Sequence, residues 1–279
     1  ILLGPVVGSV LLVGLGPTYG IFTNIIFYVP LTVFLATTAF TGHSRDGSAG
    51  TAQRMSLLSS FRVLGTVRRN RKILGMLILA ALAAVTIGAV LQTAMPVFGN
   101  KLAGGADPDL VYGILLFALG AGGVIGGFFL EASGWIKPTG ATAVVSTVAF
   151  GLFSALFAFT GSIAVAIAAL ILTGFAQITS TATEQAIVQL EAPVAERGRV
   201  IGAYSMFGPG MQTFSGITVG VVGSLLGIPL TVIAGGAVLV VGGIATAVYM
   251  AGGKKGAPHG AGIAGGTGSE AAYSDLSPE

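Results

Sequence analysis

The sequence predicts an all-α, polytopic membrane bundle, and three observations support this prediction. Charged residues make up only 8% of the chain, hydrophobic residues make up 53%, and the mean hydropathy is +0.92. Soluble domains carry roughly 25% charged residues, so most of this surface needs lipid as its solvent. The apolar segments are long and continuous, which favours helices over the short alternating strands of a closed barrel.

A helix needs about 20 apolar residues to cross the hydrocarbon core, and turn signals such as Gly227-Ile228-Pro229 divide the longest apolar runs. We therefore predict about seven complete transmembrane helices plus a truncated one at 1–14. The complete spans are 18–41, 73–98, 110–130, 138–160, 163–189, 200–225 and 228–252. Because the chain begins at Ile1 inside an apolar run, we expect it to be N-terminally truncated.

The basic residues are divided very unequally between the two sides of this arrangement. One side would hold the loop 42–72, the shorter loops 131–137 and 190–199, and the tail from residue 253. Its basic residues are Arg45, Arg54, Arg62, Arg68, Arg69, Arg71, Lys72, Lys137, Arg197, Arg199, Lys254 and Lys255, whereas the other side has only Lys101. Lys and Arg accumulate on the cytoplasmic side of inner-membrane proteins, so we expect the loop 42–72 and the tail to be cytoplasmic.

The two longest polar segments have different compositions. The second half of loop 42–72, from Ser56 to Lys72, mixes apolar and basic residues, so it is either an amphipathic helix on the anionic leaflet or a solvated linker. The tail 253–279 is rich in Gly, Ala and Ser, which predicts disorder.

Composition also excludes several kinds of chemistry. The chain has no cysteine, and both histidines, His43 and His259, lie outside the apolar segments, so we expect no metal site and no cofactor. Intramembrane hydrolysis needs a His, paired carboxylates or a Ser–Lys pair, and the spans offer none of these, so we do not expect an enzyme. The net charge of +3 forms no basic face suited to nucleic acid.

Three local motifs indicate a known family. Gly4, Pro5 and Gly8 resemble the end of a glycine-proline helix motif found in drug antiporters. Gly127, Glu131 and Gly134 resemble a cytoplasmic loop motif in which an acid follows the first glycine by four residues. Pro193 and the run Arg197-Gly198-Arg199 resemble a connection prominent among exporters of siderophores and macrolides.

In this order the three motifs resemble those of the major facilitator superfamily, drug- and siderophore-exporter-like branch. The resemblance implies a parent of twelve helices in two six-helix halves, of which this chain is the C-terminal two-thirds. The resemblance then divides the chain into a remnant of the N-terminal bundle (1–41), a central cytoplasmic loop (42–72), a C-terminal six-helix bundle (73–252) and the tail (253–279).

Polar residues inside the apolar spans are the candidate site residues. Thr173, Gln177, Thr181, Glu184 and Gln185 recur at steps of three or four, which places them on one face of a helix. Such a face is costly in lipid, so it must face the bundle or a watery cavity. The resemblance makes this helix the tenth, a cavity-lining helix.

Two roles are open for Glu184. It is either a proton or cation site beside the substrate-contacting Gln177 and Thr181, or a gate residue paired with Arg197 or Arg199. Gln92, on the span that the resemblance makes the seventh helix, either lines the cavity or makes an interhelical hydrogen bond. Asn24 on span 18–41 and Gln212 on span 200–225 allow the same two interpretations.

The resemblance implies a secondary transporter, and the apolar spans favour proton-coupled efflux of a small amphipathic or drug-like molecule by alternating access. Its expected partners are this substrate, protons and the lipid bilayer, and we expect a monomer. The alternatives are uptake or export of another small solute (a sugar, a siderophore or an organic anion) by the same fold, or an inert truncated remnant.

Overall fold

The computed structural model describes residues 19, 22, 26, 28–37, 65, 67, 68, 70–88, 90–132 and 137–252. Within these ranges the regular secondary structure is helical throughout, as predicted. The N-terminal span 1–14, most of loop 42–72 and the tail 253–279 lie outside the described residues, and so do Gly4, Pro5, Gly8, Asn24 and Gly134.

Eight helices carry the described fold. Their bounds are α1 Tyr28–Thr37, α2 Arg71–Ala83, α3 Val90–Leu102, α4 Pro108–Ala132, α5 Gly140–Phe159, α6 Ile163–Glu191, α7 Arg197–Phe207 and α8 Ile228–Gly252. A π-helical turn, Ala84–Gly88, lies between α2 and α3, and together they form one span, Arg71–Leu102.

Five described helical stretches are long and apolar enough to cross a membrane: Arg71–Leu102, Pro108–Glu131, Gly140–Phe159, Ile163–Glu191 and Ile228–Gly252. They correspond to five of the seven complete spans predicted from the sequence. The predicted span 18–41 is described mainly in α1, which is helical.

The predicted span 200–225 is not one continuous α-helix. Here α7 ends at Phe207, a 3₁₀ segment follows at Pro209–Phe214, and one short helical turn leads into a second π-helical turn at Thr218–Val222. Pro209 has no N–H to donate to the preceding turn, and Gly208 takes φ −85° and ψ −96°, which is not a helical conformation. The Gly208-Pro209 pair therefore interrupts the helix.

Local sequence explains the helix starts. The Asn70 side-chain oxygen accepts hydrogen bonds from the N–H groups of Lys72 and Ile73, which caps α2, and Thr139 caps α5 by accepting from Thr142 N–H. Pro108 opens α4, where its missing N–H costs no intrahelical bond.

Two apolar clusters hold the bundle together. The larger joins α3, α4, α5, α6 and α8, and at its centre the rings of Phe98 and Phe157 lie 4.5 Å apart. The smaller joins α2, α6 and α7 through residues such as Ile73, Val188 and Val200. The second cluster places α7 against the polar half of α6.

Small residues set the closest helix contacts. A Cβ atom on Gly122 of α4 would overlap the backbone of Ile171 on α6, and one on Gly174 of α6 would overlap the backbone of Leu119. Between α5 and α8, a Cβ on Gly151 would lie 2.8 Å from the Gly236 oxygen, and the reverse distance would be 2.6 Å. Such approaches supply dispersion contacts that lipid cannot replace.

The basic ends of several helices lie at one end of the bundle. Lys72 at the start of α2 forms a 2.6 Å salt bridge with Glu191 at the end of α6. The guanidinium of Arg71 lies 5.5 Å from the ring centroid of Tyr249, near the end of α8. The helix ends that were assigned to the basic side by their sequence are thus neighbours in the structure.

Candidate functional site

Glu184 is the centre of the candidate site. It lies on α6 about two turns before the helix ends, and its side chain is only 2% exposed. The helices α2, α5 and α7 all pack against α6, so the carboxylate lies inside the bundle. A buried carboxylate is costly unless hydrogen bonds or an opposite charge compensate it.

Hydroxyl groups surround this carboxylate. Ser180, one turn earlier on α6, donates a 2.7 Å hydrogen bond to Oε1, and Thr147 on α5 donates to the same oxygen at 3.2 Å. The phenol of Tyr204 on α7 donates to Oε2 at 3.4 Å. Three helices thus contribute to the hydrogen bonding of one carboxyl group.

The hydroxyls are also connected to one another and to the backbone. The Oγ1 of Thr147 and the Oγ of Ser180 lie 2.6 Å apart, and either can be the donor. The Thr147 hydroxyl also lies 2.8 Å from the carbonyl oxygen of Ala143, and the Tyr204 hydroxyl lies 3.2 Å from that of Thr181, so the single proton of each hydroxyl can go either to this carbonyl or to the carboxylate. A hydroxyl both donates and accepts, so this network can satisfy either an ionised or a protonated Glu184.

A small cavity of about 70 Å³ opens beside the carboxylate. Six polar side chains line it: Gln177, Ser180, Thr181, Glu184, Tyr204 and Gln212. Drug-sized ligands occupy pockets of about 300–1,000 Å³, whereas a cavity of this size has room for a few water molecules.

Two interrupted helices meet at this cavity. Ala84 and Gly88 of the π-helical turn line it from one side, and Gly208, Pro209 and Gln212 of the broken stretch line it from the other. A Cβ atom on Gly88 would lie 3.2 Å from the Gln212 amide nitrogen. π-Helical turns and broken helices recur at functional sites of membrane proteins, where the irregular backbone borders a cavity.

The structure brings together four of the polar residues proposed from the sequence and separates two others. Gln177, Thr181 and Glu184 all line the cavity, as does Gln212. Thr173 is fully buried and donates to the Ala169 carbonyl at 2.7 Å, one turn earlier on α6, and it does not line this cavity. Gln92 is exposed on α3 and does not line it either.

The structure does not bring Arg197 or Arg199 to Glu184. Both arginines are exposed in the first turn of α7, whereas the carboxylate lies inside the bundle among hydroxyls. The salt bridge recorded between described residues joins Lys72 and Glu191 instead. The expected pairing of Glu184 with an arginine is therefore absent from this arrangement of the helices.

Gly127 and Glu131 of the loop motif lie near the end of α4. A Cβ on Gly127 would lie 3.9 Å from the Cγ2 of Ile178, so this position packs against α6, while Glu131 is exposed. These two residues lie on a different part of the bundle from the cavity.

Sequence reasoning missed Thr147, Ser180 and Tyr204. Ser180 precedes Glu184 by four residues, so helical spacing alone could have placed it beside the carboxylate. Thr147 and Tyr204 lie on other helices, and no periodicity in the sequence relates them to Glu184.

Residues 1–215 match the family model described as Major Facilitator Superfamily. The match includes α1 to α7 and the 3₁₀ segment, and hence every polar residue that lines the cavity. No curated protein and no solved structure matches the chain.

Proposed function

Since the chain belongs to the Major Facilitator Superfamily, a family of membrane transporters, we propose that it exports a small amphipathic or drug-like molecule in exchange for protons. In this proposal Glu184 carries the proton, and Gln177, Thr181 and Gln212 contact the substrate. The transport cycle alternates access to the cavity from the two sides of the membrane.

The observation that carries the proposal is the hydrogen bonding of Glu184. Its partners in the described structure are three hydroxyl groups, Thr147, Ser180 and Tyr204, and no cation. An ionised carboxylate buried without a cation costs several kcal/mol, and a bound proton removes that cost. A group with these surroundings is suited to take up a proton in one state and release it in another.

The arrangement of helices supports a coupling between proton and substrate. Tyr204 lies on α7, directly before the break at Gly208-Pro209, and its phenol bonds to Glu184. Gln212 lies after the same break and lines the same cavity. If this segment moved during substrate binding, the position of the Gln212 amide in the cavity and the hydrogen bond from Tyr204 to Glu184 would both change.

The size of the cavity has a consequence for the cycle. About 70 Å³ is well below the roughly 300 Å³ that small drug-like ligands need. The helices around Glu184 must therefore move apart before such a substrate enters. Because the stretch after α7 and the π-helical turn between α2 and α3 are both irregular here, we expect these elements to move.

The apolar residues of the cavity wall favour an amphipathic substrate. Ala80, Ala83, Ala84 and Phe150 contribute apolar side chains to the wall beside the polar groups. A sugar presents hydroxyls on all sides and would leave many of them unpaired here, whereas an amphipathic molecule can place its apolar part against these residues.

The test compares Glu184→Gln with Glu191→Gln in proteoliposomes that contain the full protein. Glu191→Gln is the matched control, since it makes the same change on the same helix at a half-buried position that does not line the cavity. Two signals are measured: substrate-driven proton flux, and counterflow of labelled substrate, which needs no net proton movement.

We expect Glu184→Gln to abolish proton flux and leave counterflow intact, and Glu191→Gln to preserve both. Arg197→Ala and Arg199→Ala should also preserve proton flux. Equal defects in Glu184→Gln and the two arginine variants would instead indicate a gate pair, and normal proton flux in Glu184→Gln would reject the coupling role.

A further inference from the structure

A second and larger cavity, of about 480 Å³, lies between α2 and α7. Leu74, Ile78 and Ala81 line it from α2, Ala203 and Phe207 from α7, and Val238 from α8. This volume falls within the range of about 300–1,000 Å³ that small ligands occupy. We refer to this cavity as the apolar groove.

The groove offers a ligand almost no hydrogen-bonding groups. Arg68 and Thr86 are its only lining residues with polar side chains. The hydroxyl of Thr86 already donates to the Leu82 carbonyl at 2.6 Å, one turn earlier. The walls therefore suit a hydrocarbon chain and would leave the polar groups of other ligands unpaired.

The length of the groove matches one leaflet of a bilayer. Its wall on the span Arg71–Leu102 runs from Leu74 to Thr86, a rise of about 18 Å in a helix. The hydrocarbon core is about 30 Å thick, so one leaflet contributes about half of that thickness. A single acyl chain that entered at the Leu74 end of the groove would thus extend to about the middle of the membrane.

A positively charged residue, Arg68, lies at the same end of the groove as Leu74. Arg68 is exposed there, and no carboxylate in the described part of the chain forms a salt bridge with it. Two described cations nearby in sequence are already engaged, because Arg71 lies over the ring of Tyr249 and Lys72 pairs with Glu191. Arg68 thus provides a positive charge at the mouth of an otherwise apolar groove.

We propose that the apolar groove holds one acyl chain of an anionic phospholipid, whose phosphate contacts the Arg68 guanidinium. The guanidinium can donate two parallel hydrogen bonds to a phosphate, and the groove removes the chain from the disordered bilayer. The lipid would then lie against the face of α7 that carries Ala203 and Phe207, outside the cavity at Glu184, and bind separately from the transported substrate.

Native mass spectrometry of the purified protein tests this proposal, with phosphatidylglycerol and phosphatidylcholine supplied in equal amounts. Arg68→Gln is compared with Lys137→Gln, which removes one charge from an exposed loop residue outside the groove. Ala81→Phe, which fills the groove, is compared with Ala168→Phe at an exposed position on α6.

We expect the protein to retain phosphatidylglycerol in preference to phosphatidylcholine. Arg68→Gln should lower that preference by about fivefold, the effect expected for one basic residue near an anionic headgroup, and Lys137→Gln should leave it nearly unchanged. Ala81→Phe should abolish retention of the tightly bound lipid, whereas Ala168→Phe should not.

A photoreactive amino acid at position 78 identifies the occupant directly. Cross-linking to an acyl chain supports the proposal. Cross-linking to residues 42–66 of the same chain would overturn it, because the groove would then be filled by the protein itself. Equal lipid retention in Arg68→Gln and Lys137→Gln would overturn it as well.

Discussion

Tyr204 and Glu184 connect two helices through one hydroxyl group: the phenol lies 3.4 Å from Oε2 of the carboxylate and 3.2 Å from the carbonyl of Thr181. The position of α7 relative to α6 is therefore tied to the hydrogen bonding of the one carboxylate buried among the described residues. This contact gives the first prediction.

Tyr204→Phe removes the hydroxyl and keeps the ring that packs in the smaller apolar cluster. We expect a loss of about 1 kcal/mol in stability, the size of one hydrogen bond, and a clear decrease in proton-coupled transport. Tyr112→Phe on α4, outside the cavity, is the control. Thermal unfolding in detergent and proton flux in proteoliposomes are the measurements. Normal flux in Tyr204→Phe would show that the hydroxyl is not needed for coupling.

The contact between α4 and α6 predicts a strong effect of a single methyl group. A Cβ on Gly122 would overlap the backbone of Ile171, so Gly122→Ala must push the two helices apart. We expect it to lower the unfolding free energy by about 3 kcal/mol or more, at the upper end for overpacked cores.

Gly113→Ala is the matched control on the same helix, since nothing lies within 4 Å of its Cβ position. There we expect a small gain of about 0.5–1 kcal/mol, because alanine is the better helix former. Unfolding monitored by circular dichroism compares the two. Equal stability of the two variants would contradict the close approach of α4 to α6.

Gly151 and Gly236 predict non-additive effects between α5 and α8. An alanine at either position would place its Cβ within 2.8 Å of the other residue's backbone oxygen, so either substitution alone must widen the same gap between the helices. Once one alanine has done this, the second should cost less, by about 0.5–3 kcal/mol relative to additivity. A double-mutant cycle of unfolding free energies measures the difference, and strict additivity would mean that the two glycines act independently.

The absence of cysteine makes the topology easy to test with single-cysteine variants. The 12-to-1 distribution of basic residues predicts that Ser48→Cys is protected from a membrane-impermeant thiol reagent in intact cells. Ala106→Cys, in the short connection before α4, should be labelled. Labelling of both after permeabilisation is the control, and the opposite pattern in intact cells would reverse the orientation.

The long spans could be predicted from the sequence because hydrophobicity over about 20 residues is a local property. The long apolar segments predicted the positions of five described spans to within a few residues. The helix face with Gln177, Thr181 and Glu184 was likewise predicted from spacing within one helix, and these three residues line one cavity.

The irregular turns and the partners from other helices could not be predicted in the same way. Ala84–Gly88 has no proline and its sequence is that of an ordinary apolar helix, yet it forms a π-helical turn against the 3₁₀ segment that follows α7. Thr147 meets Glu184 only because α5 packs on α6, and pairwise helix packing is not encoded in the periodicity of either segment. The alternative in which Glu184 pairs with an arginine rested on their proximity in sequence. In the structure the carboxylate is buried, and its hydrogen-bond partners are hydroxyl groups.

The interruption at Gly208-Pro209 also has a mechanical consequence. In a continuous helix each turn is fixed to the next by i to i−4 hydrogen bonds, so a twist applied at one end is transmitted to the other. Pro209 cannot donate such a bond, and the segment Pro209–Phe214 continues as 3₁₀ helix. The α7 segment before the break can therefore pivot while the part beyond it stays in place, and its amide protons should exchange with solvent deuterium at a different rate from those of α6.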